Sequence, residues 1–177
     1  MKLTLIRHGE VTHPYQGRYN GHNNIPLSPR GLQDAKIVGK RLAKYHFDAI
    51  YCSDLPRAKQ TLQALDLHHP TIFTEQLREK SWGEHEGMSF EQIEASGIKY
   101  TTFLEWIEQL GGERIEDFQA RVANFFYNYL PQQNHQSVLI VTHAGVIKTL
   151  LALQKNLTLE ESFALKLEYG EMINLTL

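Results

Sequence analysis

Two apolar runs in this chain end in the same way. LIRHG occupies residues 5–9 and IVTHAG residues 140–145, and in each a histidine closes the run and a small residue follows it. Short apolar runs bounded by turn residues read as strands buried on both faces, the pattern of a parallel sheet. Parallel strands point one way, so both runs end at the carboxyl edge, where open α/β sheets bind ligands. His8 and His143 thus become candidates for a single site although most of the chain separates them. A lone histidine at a strand end is most simply a loop cap; it is the repetition that suggests chemistry.

The intervening sequence alternates strand and helix. Further strands are expected at about 48–52 (DAIYC) and 71–73 (TIF). Ser28 followed by Pro29 marks a helix start, with Leu32, Ala35, Val38, Leu42 and Tyr45 on one stripe. Ser53 and Asp54 are placed to cap a second helix, running to about Leu67. A short helix is expected around Leu104 and Ile107, before the turn Gly111-Gly112. Ile115, Phe118, Val122, Phe125, Phe126 and Tyr129 give the clearest helical periodicity, stopped by Pro131. Another helix is expected over about 145–154, and the tail, 164–177, alternates around Tyr169-Gly170 like a hairpin. This order predicts an α/β fold with a largely parallel sheet. One domain is expected over 1–177, with an irregular, cap-like insert at about 80–112.

Composition excludes several classes. Hydrophobic residues make up 42% of the 177, enough for a core and too many for a disordered chain. Eighteen Lys and Arg against 20 Asp and Glu leave no basic excess, so no nucleic-acid partner is expected. Cys52, on a predicted strand, is the only cysteine, which rules out an intrachain disulfide and a cysteine zinc cluster. The apolar opening breaks at Arg7, too soon for a signal peptide or membrane span, and a cytoplasmic location is expected. No metal-binding spacing such as HExxH occurs.

Arg57 falls in the first turn of its predicted helix, where a cation opposes the helix dipole unless an anion is also bound there. His143-Ala144-Gly145 opens a helix too, and Arg7 precedes His8. Two arginines, two histidines and a helix N-terminus suit a phosphate dianion.

Four segments, RHGE (7–10), SDLPRAKQT (53–61), LREKSWGEHEG (77–87) and VTHAG (141–145), resemble the successive motifs of the histidine phosphatase, or phosphoglycerate mutase-like, superfamily. The likeness spans nearly the whole chain in the family's order. It implies a three-layer α/β/α fold, a small phosphorylated substrate, and hydrolysis of a phosphomonoester through a phosphohistidine. It makes His8 the nucleophile, Arg7, Arg57 and His143 the phosphoryl ligands, and Glu79 the proton donor, with no metal or organic cofactor. Arg7 and Arg57 would keep His8 neutral and nucleophilic. Asn20, Gly21, Glu113 and Ala144 are the candidate substrate contacts. The resemblance of 19–31, 111–122 and the short tail points to the family's small phosphatases rather than its longer mutases.

Pro14 stands where the family often has a phosphate-contacting asparagine, and Asn20 or Asn23 are candidates to replace it. Trp82, Phe90, Tyr100, Phe103 and Trp106 could stack on a flat base, although aromatics at helical spacing more commonly form core. Left open are a broad-specificity phosphatase, a mutase, a non-catalytic phosphate sensor, and a monomer or homodimer.

Overall fold

The computed structural model describes residues 1–177. In chain order its elements are β1 (Lys2–Arg7), α1 (Pro29–Leu42), β2 (Ala49–Ser53), α2 (Pro56–Leu65), β3 (Thr71–Thr74), α3 (Phe90–Ala95), α4 (Phe103–Gln109), α5 (Ile115–Ala123), β4 (Ser137–Thr142), α6 (Ala144–Lys155), α7 (Leu159–Ala164) and β5 (Met172–Thr176). The strands form one sheet in the order β3-β2-β4-β1-β5. β1 pairs parallel to β4, β4 to β2 and β2 to β3, while β5 runs antiparallel along β1.

Alternation along the strands generates the layers. Ile6, Ile50, Cys52, Leu139 and Val141 face one side, packed with Ala35 and Leu42 of α1 and Ala58, Leu62 and Leu65 of α2. Their neighbours Leu3, Leu5, Ala49, Tyr51, Val138 and Ile140 face the other, packed with Phe118 and Val122 of α5 and Val146, Ile147 and Leu150 of α6. Each Val, Leu, Ile or Phe among them that is fully withdrawn from water contributes roughly 1.5–3 kcal/mol before chain entropy is charged against it. The result is the expected three-layer α/β/α arrangement. No helix is long and apolar enough to cross a membrane.

Ser28 caps α1, its hydroxyl oxygen accepting from the Gly31 N–H at 2.9 Å. The predicted α1 stripe is too wide: Leu32 is exposed on the helix, and Tyr45 lies beyond its end and is exposed too. α2 starts later than Ser53-Asp54 implies, with Leu55 at its N-cap. Those two side chains have other partners: Asp54 takes a two-pronged contact from Arg78 at 2.7 and 2.5 Å, and Ser53 Oγ lies 2.8 Å from His143 Nε2.

The helix expected over 114–129 changes pitch midway. After α5 the backbone widens into a π-helix over Asn124–Tyr129, where the consecutive residues Phe125 and Phe126 are both buried. The tail is not a hairpin. Residues 165–171 form no strand, and only β5 joins the sheet, because its partner is β1 rather than the preceding segment.

The 80–112 segment contains α3 and α4, each opened by a capping box at Ser89 and Thr102. Its aromatics gather on buried Trp106, with the Phe90 and Tyr100 rings 4.9 and 4.8 Å away and Tyr19 Oη accepting the indole N–H at 3.0 Å. Trp106 is therefore a packing residue, and Phe90 and Tyr100 lean on it from the surface, outside the cavity that holds His8. Lys80 is buried at the base of this segment, its ammonium donating to the carbonyls of Ser81 and Gly111 at 3.0 and 3.1 Å and lying over the Trp82 ring.

Candidate active site

Sheet register brings the two histidines together. Arg7 is the parallel partner of Thr142, so His8 and His143, one residue further on, leave the sheet side by side. The His8 N–H still donates to the Thr142 carbonyl at 2.8 Å. α1 and α6, which follow these strands, lie on opposite faces, so a crevice opens at the carboxyl ends of β1 and β4. The imidazole centroids are 5.1 Å apart.

A cavity of about 160 Å³ lies there, lined by Arg7, His8, Val11, Arg18, Tyr19, Asn20, Glu79, Trp82, Ala144 and Tyr169. His8 Nδ1 lies 2.8 Å from the Gly9 carbonyl, an acceptor only, so the ring proton sits on Nδ1 and leaves the Nε2 lone pair unprotonated. Burial, then the charges of Arg57 and Arg7, hold His8 well below the usual imidazole range. Burial, then Arg57, does the same to His143. Burial also lowers Arg57, to about 10.

Arg57 and His143 do not line the cavity but form the layer behind it. Arg57 is buried, donating to the carbonyls of Asn23 at 3.1 Å and of Asn20 and Gly21 at 3.3 and 2.6 Å. Its anchor is α2, whose Thr61 Oγ1 donates to the Arg57 carbonyl at 2.7 Å and accepts the Gly9 N–H at 2.8 Å. Buried side-chain polar atoms without a hydrogen-bond partner include Arg7 Nε on β1, Arg57 Nε on α2 and His143 Nδ1 at the junction of β4 and α6.

Glu79 enters from the loop after β3. The Asp54–Arg78 pair fixes the preceding residue, and Thr142 Oγ1 donates to the Leu77 carbonyl at 2.7 Å. Its carboxylate then accepts from the Gly145 N–H at 2.9 Å, in the first turn of α6. Glu10 is tied away from the chemistry, accepting from Ser28 Oγ at 2.7 Å. Nowhere do three His, Cys, Asp or Glu side chains converge as metal ligands.

Of the candidate substrate contacts, Asn20 and Ala144 line the cavity. Gly21 does not; its carbonyl holds Arg57 and its N–H donates to Glu86 at 2.7 Å. Glu113 is also outside, clasping Arg121 with both oxygens at 2.8 Å. Arg121 in turn donates to the carbonyls of Gln76 and Arg78, so Glu113 braces the loop that carries Glu79. Sequence reading missed Arg18, Tyr19 and Tyr169 as cavity residues. Only the placement of Tyr169 beside a turn glycine hinted that it leaves the regular structure.

Fold and site together define an α/β protein with paired histidines and arginines at a small cavity on the carboxyl edge of its sheet. The profile of the histidine phosphatase superfamily (branch 1) matches residues 3–177. The chain belongs to that superfamily and is a phosphatase. It is 29% identical over 176 residues to an adenosylcobalamin/alpha-ribazole phosphatase of Escherichia coli strain K12, covering 96% of this chain and 87% of the relative. The crystal structure of the alpha-ribazole phosphatase from Shigella flexneri superposes with a TM-score of 0.83 at 28% identity, over 98% of this chain and 89% of that one. A phosphoserine phosphatase mutant from Entamoeba histolytica, in complex with phosphoserine, gives the same TM-score of 0.83 at 27% identity, again over 98% and 89%.

Proposed function

We propose that the chain hydrolyses a phosphomonoester in two steps at His8. The observation that carries this reading is the set of buried, unpartnered nitrogens on Arg7, Arg57 and His143 around a neutral imidazole. Leaving a buried donor unsatisfied costs about 1–3 kcal/mol, and a phosphoryl oxygen offers Arg7, which lines the cavity, the acceptor it lacks, with Arg57 and His143 backing it from the layer behind. Ser53 Oγ can donate to His143 Nε2, which puts the imidazole proton on Nδ1 and makes that atom a donor.

In the first step the His8 Nε2 lone pair forms a bond to phosphorus as the P–O ester bond breaks, and Glu79 protonates the departing alkoxide. In the second, the Glu79 carboxylate takes a proton from water, the oxygen bonds to phosphorus, the P–N bond breaks, and neutral His8 returns. The Nδ1–H stays on the Gly9 carbonyl throughout. Charge on the transferring group is met by preplaced donors. Segment 80–112 acts as the cap, contributing Trp82 to the cavity wall.

For the substrate we favour α-ribazole 5′-phosphate. The E. coli and Shigella relatives support this, as do Tyr19 and Trp82 in the cavity wall, which offer aromatic surface to a flat base. A second reading, a small ester of the phosphoserine type, is favoured by the volume of about 160 Å³, below the roughly 300–1,000 Å³ of pockets for larger ligands. Turnover of both compounds and of sugar phosphates in EDTA separates the readings: α-ribazole 5′-phosphate should give the highest kcat/KM, and parity with the small esters removes that assignment. His8→Ala should abolish an acid-labile phosphoenzyme trapped from labelled substrate, and an adduct persisting in the variant takes His8 out of the role.

A further inference from the structure

Between α7 and β5 the chain crosses the end of β1 and grips it. The pairing of β5 with β1 reaches Ile6 opposite Met172, then continues as single bonds: Arg7 N–H to the Glu171 carbonyl at 3.1 Å and Gly170 N–H to the His8 carbonyl at 3.2 Å. The turn that makes this possible closes with the Glu171 N–H on the Glu168 carbonyl at 3.3 Å, and Gly170 takes φ +69° at its third position. That conformation suits glycine and turns the chain back beside His8. A guanidinium N–H of Arg7 also donates to the Leu167 carbonyl.

The side chain carried at the head of this turn is Tyr169. Its ring centroid is 4.0 Å from the Arg7 guanidinium carbon and 5.7 Å from the His8 ring, and it lines the cavity. Arg7 forms no ion pair with any carboxylate, so its plane is set by the Leu167 carbonyl on one side and the Tyr169 face on the other. We propose that Tyr169 is a positioning residue for phosphoryl binding: its ring holds the Arg7 guanidinium so that the unpartnered Nε is presented beside His8. This rests on the phosphoryl-transfer reading above. The flat face carries this role; the phenol oxygen also reaches the Arg7 guanidinium, and Tyr169→Phe separates the two.

The test compares Tyr169→Leu and Tyr169→Asn, which remove the ring, with Tyr169→Phe, which keeps it. The readouts are p-nitrophenyl phosphate turnover, competitive inhibition by inorganic phosphate, and thermal unfolding. Loss of a half-buried cation–π contact should raise KM and the phosphate inhibition constant together by about tenfold, with kcat changing less than about threefold. Tyr169→Phe should stay within about twofold of the parent. A merely structural role would lower the melting temperature and the active fraction without moving phosphate affinity. Two ring-less variants keep the test decisive if one fails to fold. Unchanged phosphate inhibition in a folded ring-less variant, or a Phe variant as impaired as Leu, overturns the assignment while leaving the phosphatase reading intact. A parent that turns over no ester removes both.

Discussion

At Gly145 the absence of a side chain lets the Glu79 carboxylate reach the first turn of α6. A Cβ built there would overlap Glu79 Oε1, and the same residue donates its N–H to Oε2 at 2.9 Å. Gly145→Ala should therefore push the Glu79 carboxylate, the proposed proton donor, aside while the helix itself gains from alanine. The expected outcome is a fall in kcat of about 100-fold for esters of poorly acidic alcohols, with aryl esters much less affected. Steady-state kinetics on the two ester classes measures this, and an equal loss on both would mean the change acts elsewhere. Glu79 itself was legible because the motif around it fixed its place. Glu113 was misassigned for a reason no linear reading exposes: its partner Arg121 lies two turns along α5, and the pair braces a loop instead of facing ligand.

Elements meet through a few polar joints, and Thr61 is one of them. It ties α2 to the loop after β1, accepting the Gly9 N–H and donating to the Arg57 carbonyl. Thr61→Val keeps the volume but orphans the buried Gly9 N–H, at a cost of about 1–3 kcal/mol. Denaturant unfolding should show that loss, and the loop released beside His8 should slow turnover as well. A variant as stable as the parent would remove Thr61 from this role. β1 and β4 could be read from sequence because strands buried on both faces announce themselves as unbroken apolar runs. The tail was harder: alternation around Tyr169-Gly170 signals a turn, yet nothing local says that β5 seeks β1 instead of its own neighbour. α2 likewise begins at Pro56 because Ser53 and Asp54 are drawn away by His143 and Arg78, partners distant in sequence.

Across the whole molecule the buried cations and imidazoles give stability one pH direction. His8 and His143 titrate well below the usual imidazole range in the folded chain, so as pH falls below about 6.5 the unfolded chain binds protons that the folded one refuses. Stability drops over that window, by at most about 1.4 kcal/mol per pH unit for each group. Burial likewise lowers Lys80 to about 8. Between that value and the ordinary lysine range, near 10.4, the unfolded chain again holds the extra proton, so stability rises with pH there also. Unfolding free energy measured at pH 5.5, 7, 8 and 8.5 should climb, the buried Cys52 thiol, held far above its ordinary range, opposing the rise only from about pH 8.5 upward. His143→Gln should reduce the slope of the lower half, leaving the His8 part, and Lys80→Met that of the upper. A parent whose stability declines from pH 7 to 8.5 would contradict the account.

The sheet order carries a last consequence, for how the protein is made. β1 lies between β4 and β5, while β2 and β3 lie on the far side of β4. A ribosome delivers β1 well before β4 and β5, its two neighbours in the sheet, so until they follow β1 is an apolar ribbon without its sheet partners. The pairing of His8 with His143 therefore waits until β4 has been made. The nascent chain is most in need of a chaperone while that ribbon waits.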